Sequence, residues 1–461
     1  YAWVKACDPA MFDEIRRRVQ EGRWEVVGGW WVEPDCNVPG GESFARHGLY
    51  AQRFFEHEFG VRAQVGFNPD SFGHAGTLPQ ILAKQDIKYY VYMRPDASEE
   101  MHYPQGTTFW WQANDGTRIL ASNIQGGYAS GDEVIERIRR LLECPHLNPG
   151  QRELLGFYGV GNHGGGPTKK AIAGIVRACE DASLPEVHFG TLGGFCEAFL
   201  DATDERAIPV IATDLQHHAR GCYTAHSEVK RLNRRCEHAL MAAERFATVA
   251  CLLDKDRAYP GAAIEKAWED VLFNQFHDIL AGTSIEPAYE DTRDQMGAAR
   301  QQANVILNEH LQAIARRVDT TAKGNTIMVV NPLPWPVVQT VVAPAIVQRE
   351  IRRPLHVVDD QGEPVASQEI LGKRIGHTDF AFTAHLPALG YCCYHARSGA
   401  KRVKHEQALR CGRDFVENAW WRIEFDPYSG QIRRLYDRKH RVEVLERGNI
   451  LAAMVDDSDT W

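Results

Sequence analysis

From about residue 224 to residue 318 the sequence has no strand signal, only apolar residues at helical spacing, and this stretch divides the chain into three. Val229, Leu232, Cys236, Ala243, Phe246 and Ala250 form one stripe along a helix. Pro260 breaks it ahead of a second helical pattern through residues 262–280, and a third runs from about 286 to 318. Three such helices in sequence predict an antiparallel bundle. Before this stretch, helical and strand signals alternate, which predicts a mostly parallel sheet, open or closed into a barrel. After Lys323-Gly324, short β runs at 327–330, 337–342, 357–358 and 380–382 are separated by Pro, Gly and Asp turns, as in a sandwich. With 461 residues the chain exceeds what one core serves. The expected fold class is therefore multidomain α/β plus α plus β. Residues 1–200 form an α/β domain, 201–320 a helical bundle, and 321–461 an incomplete β-sandwich region.

Within the first part, Asp8-Pro9 is a cap-plus-first-turn pair, followed by Phe12, Ile15 and Val19 at helical spacing and by Gly22. Strands are predicted at 24–31, 65–67, 154–160 and 187–192. Ser43 opens a helix ending near Gly60, Ser130 with Glu133 makes a capping-box pattern, and Thr168 caps another helix. In such folds active residues sit at the C-terminal ends of strands.

The net charge of −9 gives no electrostatic reason to expect nucleic acid as a partner. No uninterrupted apolar run reaches the roughly 18 residues that would span a membrane. Eleven cysteines, an odd number with no CxxC pair, point to a reduced, cytoplasmic setting and away from a cysteine-ligated zinc. The chain starts at Tyr1 and stops in mid-pattern at Asp459-Thr460-Trp461, so both ends read as cut.

Five segments carry candidate chemistry. In Asn68-Pro69-Asp70-Ser71-Phe72-Gly73-His74, Asp70 directly follows a short buried strand, the position of a catalytic carboxylate, although Asn-Pro-Asp-Ser is also ordinary turn chemistry. In Asn274-Gln275-Phe276-His277-Asp278, His277 is a candidate metal ligand with Asp278 beside it, or else a satisfied core histidine. Gly161-Asn162-His163-Gly164-Gly165-Gly166-Pro167-Thr168 lies between a strand and a helix; it lacks the Gly-Lys-Ser/Thr of a phosphate loop and serves either close ligand approach or a plain turn. Trp31 and Asp35, in Trp30-Trp31-Val32-Glu33-Pro34-Asp35, suit a sugar site or plain core packing. Arg220 and Tyr223 close a polar stretch from Asp214, which composition also allows as a solvated linker. Its adjacent histidines lack the HExxH spacing.

Taken in order, Val27–Asp35, Asn68–Gly73, Gly161–Thr168, Asn274–Asp278 and Val330-Asn331-Pro332-Leu333 resemble glycoside hydrolase family 38, the α-mannosidases, most closely the cytosolic and bacterial branch. The resemblance implies an N-terminal barrel-like α/β domain, a three-helix bundle and a C-terminal β region. It also implies retaining hydrolysis of terminal α-mannosides at one zinc ion. Asp70 would then be the nucleophile and a zinc ligand, and His277 a second ligand. Asp278, Trp31, Asp35, Tyr223 and Arg220 would contact a mannose-containing oligosaccharide or glycoside. Relatives often associate, so a homo-oligomer is left open.

Two departures bear on the chemistry. The family's other two metal ligands lie in a His-x-Asp motif expected upstream of Tyr1, which leaves two of four here. Where relatives carry an acid/base Asp this chain has Asn162, and an amide cannot serve as a proton donor; His163 is the leading substitute, with a more distant carboxylate such as Asp214 the alternative. A zinc-dependent sugar deacetylase or amidohydrolase and a non-catalytic carbohydrate-binding relative remain as alternatives.

Overall fold

The computed structural model describes residues 1–95, 106–129, 133–161, 165–216, 219–321, 324–345, 355–371, 378–399, 409–453 and 455. The chain separates into two compact units, Tyr1–His310 and Leu311–Ser458.

The first unit begins with α1 (Ala2–Cys7), α2 (Pro9–Gln20) and α3 (Gly41–Phe59). Asp8 caps α2 as predicted, its carboxylate accepting the Met11 N–H at 3.0 Å, and Phe12, Ile15 and Val19 are the buried face. Helix α3 ends at Gly60, whose φ of 70° is the left-handed stop that glycine allows. It starts two residues before Ser43, with Gly40 at its cap, and the Ser43 hydroxyl is turned to Glu237 instead.

Strands β1 (Val65–Asn68), β2 (Tyr89–Tyr92), β3 (Thr108–Gln112), β4 (Arg118–Asn123) and β5 (Val210–Ile211) form one sheet in the order β1-β2-β4-β3-β5. All neighbours are parallel except β3 with β4. Both faces are buried. Tyr90, Tyr92, Trp111 and Ala121 pack toward α4 (Leu78–Lys84), while Val65, Tyr89, Val91 and Leu120 share the opposite core with Cys196 and Phe199. Apolar residues therefore run on without the alternation that marks a half-exposed strand.

Helices α5 (Val134–Leu142), α6 (Lys169–Glu180) and α7 (Leu192–Ala202) complete this part. Thr168 caps α6, accepting the Ala171 N–H at 3.0 Å. Ser130 lies outside the described residues, and Glu133 precedes α5 without a side-chain cap bond. Three predicted strands are absent. Residues 24–31 run beside β1, where Gly28 donates to the Val65 carbonyl at 2.8 Å, but positive φ at Gly28 and Gly29 breaks any ladder. Residues 154–160 pack by side chains, Phe157 stacking on Phe67 at 5.9 Å, and Gly159 has a φ of 131°. Residues 187–192 end with the Leu192 N–H capped by Glu25 at 2.8 Å rather than paired to a strand.

Next come α8 (Ser227–Leu253), α9 (Gly261–Phe273), α10 (His277–Ala281) and α11 (Glu286–Ala315). Cys236, Leu240 and Ala243 of α8, Trp268 of α9 and Met296, Ala299 and Ala303 of α11 share one core. The second helical pattern is interrupted: α9 stops at Phe273, and His277 begins a new short helix instead of lying inside a long one. The break is held by bonds the helix cannot make, since the Gln275 carbonyl accepts from Asp35 N–H at 2.9 Å.

His47 of α3 faces this break. It is fully buried, its Nε2 lies 3.0 Å from Gln275 Oε1, and its Nδ1 meets no partner. Protonation would bury an N–H with nothing to accept it, so burial pushes the imidazole down to about 3. A histidine depressed in the fold binds its proton in the unfolded chain first, so stability is lost as pH falls from about 6.5 toward 3. We expect this group alone to cost about 1.4 kcal/mol per pH unit across that window. Urea midpoints at pH 7.5 and 5.5 check it: His47→Gln should flatten the dependence, and an unchanged slope would remove His47 as its source.

Beyond the last turn of α11, which ends at Ala315, the second unit is all β among the described residues. Strands β6 (Asn325–Asn331), β7 (Val337–Ala345), β8 (Leu355–Val358), β9 (Pro364–Val365), β10 (Ser367–Leu371), β11 (Thr378–Leu386) and β12 (Gly390–Ser398) make two sheets, β10-β11-β7 and β6-β12-β8-β9. Val357, Phe380, Phe382 and Tyr394 fill the core they share. The predicted runs at 327–330, 337–342, 357–358 and 380–382 all fall inside these strands. A third sheet, β13 to β17 (Arg410–Cys411, Phe415–Glu417, Trp421–Phe425, Ile432–Asp437 and Val442–Leu445), is an antiparallel meander.

Candidate active site

Strands β1, β2 and β4 run parallel, so their C-terminal ends share one edge of the sheet. The segments leaving them carry Asp70, Arg94 and Tyr128, and these three meet. Asp70 Oδ1 lies 3.0 Å from Arg94 Nη2, and its Oδ2 accepts the Tyr128 hydroxyl at 2.8 Å. Arg94 also stacks over Phe72, 5.1 Å from the ring centre. The Tyr128 phenol is held well above its ordinary range, chiefly by burial and then by the Asp70 carboxylate that accepts its proton. The Asp70 side chain keeps 13% exposure.

Four distant segments are stitched around this point by isolated bridges, Pro34 with Phe276, Cys36 with His74, and His74 with Leu215. His74 is fully buried between Tyr90, whose hydroxyl lies 2.7 Å from Nδ1, and the Arg94 carbonyl, 2.7 Å from Nε2. Because a carbonyl only accepts, Nε2 carries the proton and Tyr90 donates to Nδ1. Gly73 has a φ of 113°, and a Cβ there would come within 2.6 Å of Gln216 Oε1. Tyr223 donates to the Phe72 carbonyl at 2.6 Å and accepts from Asn37 Nδ2 at 2.5 Å, which pins the Asp70 segment from the side.

Glu33 ties Asp70 to His277. Its Oε1 accepts the Asp70 N–H at 2.6 Å, while its carbonyl accepts both the His277 N–H at 3.2 Å and the His277 Nδ1–H at 2.9 Å. Burial pushes the Glu33 carboxyl up to about 6, against the pull of nearby His277. Asp278 accepts from Thr283 Oγ1 at 2.9 Å, with its other oxygen 3.8 Å from His277 Nε2. Asp70, Tyr223, His277 and Asp278 are thus drawn to one region, with Asp35 at its buried side.

Asp35 is fully buried, its Oδ1 accepting from Asn37 and Val38 N–H and its Oδ2 unpartnered, and burial raises its carboxyl. Trp31 is placed elsewhere, edge-on to Tyr50 and Phe54. There it lines an open groove of about 470 Å³ with Arg53, Glu265 and Glu269. Asn162, His163 and the side chain of Arg220 lie outside the described residues.

Comparison with known proteins settles the kinship. Residues 1–218 match the glycosyl hydrolases family 38 N-terminal domain, and residues 217–314 match the alpha mannosidase middle domain. The chain belongs to glycosyl hydrolase family 38. It is 30% identical to Alpha-mannosidase 2C1 of Mus musculus over 338 residues, covering 72% of this chain and 32% of that protein. It is 32% identical to Alpha-mannosidase G of Dictyostelium discoideum over 295 residues, covering 63% and 26%. The chain therefore spans about a third or less of the length of these curated relatives. An alpha-mannosidase from Enterococcus faecalis V583 has a similar fold, with a TM-score of 0.75 at 18% identity, covering 95% of this chain and 55% of that one.

The zinc implied by family 38 is met only in part. His277 suits a ligand, because the Glu33 carbonyl holds Nδ1–H and leaves Nε2 as the acceptor. Asp70 is ion-paired with Arg94 through Oδ1 and accepts from Tyr128 through Oδ2, so a cation bound there would share or displace these partners. Among the described residues no three His, Cys, Asp or Glu are grouped to hold a metal, and zinc takes three or four protein donors. These residues alone do not make a zinc site.

Sequence reasoning missed Glu33, Arg94 and Tyr128 as site residues. The run Tyr89–Tyr92 was the available signal for Arg94, two residues past a buried strand.

Proposed function

We propose that this chain is the nucleophile-bearing part of a retaining α-mannosidase acting on terminal α-mannosides. The observation that carries this reading is the Asp70 carboxylate at a strand end, oriented by Arg94 and Tyr128 and partly open to solvent. A retaining enzyme needs one carboxylate to attack the anomeric carbon and form a glycosyl ester while the bond to the leaving oxygen breaks. A second group protonates that oxygen and then deprotonates the attacking water. Arg94 and Tyr128 hold the Asp70 carboxylate in one orientation, which lowers the cost of reaching the attack geometry. We assign the second role to His163, next to Asn162 in sequence. A 2-fluoro-mannosyl fluoride incubated with the full-length protein should label the Asp70 peptide. Turnover without any adduct on Asp70 favours a deacetylase-like or other chemistry, and an absence of both adduct and turnover favours a non-catalytic binder.

With this reading go the finer architecture of barrel-like domain, three-helix bundle and β-sandwich, a cytoplasmic location, and a homo-oligomer. Zinc is part of it through Asp70 and His277, with two further donors expected upstream of Tyr1. Bound there, the cation would polarise the sugar hydroxyls and add to the field around the carboxylate. We expect residues 1–461 alone to bind zinc far below one equivalent, and the full-length protein to bind one. Metal content by mass spectrometry after desalting measures both, and stoichiometric zinc in residues 1–461 would refute the two-donor account.

A further inference from the structure

We propose that Glu33 is a positioning residue that sets where Asp70 stands relative to His277. This rests on the role of Asp70 given above and deepens it. The three residues Glu33, Pro34 and Asp35 form a clasp with bonds in two directions. Toward Asp70, the Glu33 carboxylate accepts the Asp70 N–H at 2.6 Å and the Pro34 carbonyl accepts the Ser71 hydroxyl at 2.7 Å. Toward His277, the Glu33 carbonyl accepts both N–H groups of that residue, and the Asp35 N–H donates to the Gln275 carbonyl. The Glu33 side chain and main chain thus point at different site residues, and no other described residue bonds to both Asp70 and His277.

The bond to Asp70 is made to its backbone amide, not to its carboxylate. Glu33 therefore leaves the reacting oxygens alone and fixes the Cα from which they swing. The acceptor is anionic and short-ranged, which makes this a stronger tether than a neutral oxygen would give. Attack on an anomeric carbon is sensitive to placement, and a misplacement of about 1 Å costs on the order of a hundredfold. Removing the tether should accordingly act on kcat and leave KM nearly alone, because sugar contacts elsewhere are untouched.

The test uses the full-length protein and an aryl α-mannoside. Glu33→Leu keeps the bulk and loses the acceptor, so kcat should fall about a hundredfold with KM within about threefold. Glu33→Asp keeps the charge but retracts the oxygen by one methylene, and serves as the second variant should the leucine variant not fold; a similar loss is expected. Glu33→Gln keeps an oxygen at the same reach and should restore kcat to within about fivefold of wild type. A merely structural role would not give that rescue. Unchanged kcat in both Glu33→Asp and Glu33→Leu overturns the proposal, as does a glutamine variant as slow as the leucine one. An inactive wild-type protein would instead count against the mannosidase reading, so the two failures are told apart.

Discussion

Replacing Asp70 with Asn should reduce aryl α-mannoside turnover by about 10⁴-fold or more, equivalent to about 5.5 kcal/mol of barrier. The amide is nearly isosteric, so the pocket keeps its shape. What is lost is the charge that Arg94 and Tyr128 are arranged around. An amide oxygen is too weak a nucleophile to form a glycosyl ester, and an amide NH₂ would face the Arg94 guanidinium or the Tyr128 proton. Steady-state rates with the full-length proteins measure the effect. Circular dichroism and urea midpoints within error of wild type show that the loss is chemical. A variant that keeps a tenth of wild-type kcat would mean that another group attacks the sugar.

The second large effect concerns stability, at Glu237→Ala. Glu237 is almost wholly buried on α8 and serves five neighbours. Its Oε1 accepts from Gly40 N–H at 2.8 Å, Ser43 Oγ at 2.7 Å, Gln275 Nε2 at 3.2 Å and Asn233 Nδ2 at 3.4 Å, while Oε2 pairs with Arg234 at 2.5 Å. Gly40 caps α3, so the carboxylate also faces the positive end of that helix. Truncation leaves four donors and a cation without their acceptor, and breaking such a site costs about 3–5 kcal/mol. That is a large fraction of the roughly 5–15 kcal/mol that holds a domain together. Urea midpoints give the cost directly, and a loss under about 1 kcal/mol would show that water replaces the carboxylate at little expense. Because Gln275 belongs to the same network, damage here should also loosen the turn that presents His277.

Local signals were legible in the sequence. Asp8 before Pro9, Gly60 after α3 and Thr168 before α6 act within a few residues of where they stand, so each does in the fold what its type predicts. Asp70 stood out because it directly follows a short buried strand, and His277 because it sits among polar residues inside a helical pattern. Glu33, Arg94 and Tyr128 did not, because their roles come from contacts across 24 to 244 residues of chain. The β2 run Tyr-Tyr-Val-Tyr escaped notice for a related reason, being buried on both faces and so lacking the alternation that announces a strand. Residues 24–31 erred the other way. Their composition suits a strand, but Gly28 and Gly29 turn the backbone out of register.

The clasp at residues 33–35 also dictates an order of events. Its two halves of bonds lie far apart in chain order, since His277 follows Glu33 by 244 residues. On a ribosome adding about 5–20 residues each second, Glu33 waits roughly 12–50 s for that imidazole to be made. During that interval the emerging sheet can seat Asp70 against Arg94 and Tyr128, yet the carbonyl destined for His277 has only solvent or a chaperone to meet. Assembly of the pocket is therefore a late step in the life of the nascent chain, and the helical segment after residue 226 is what closes it.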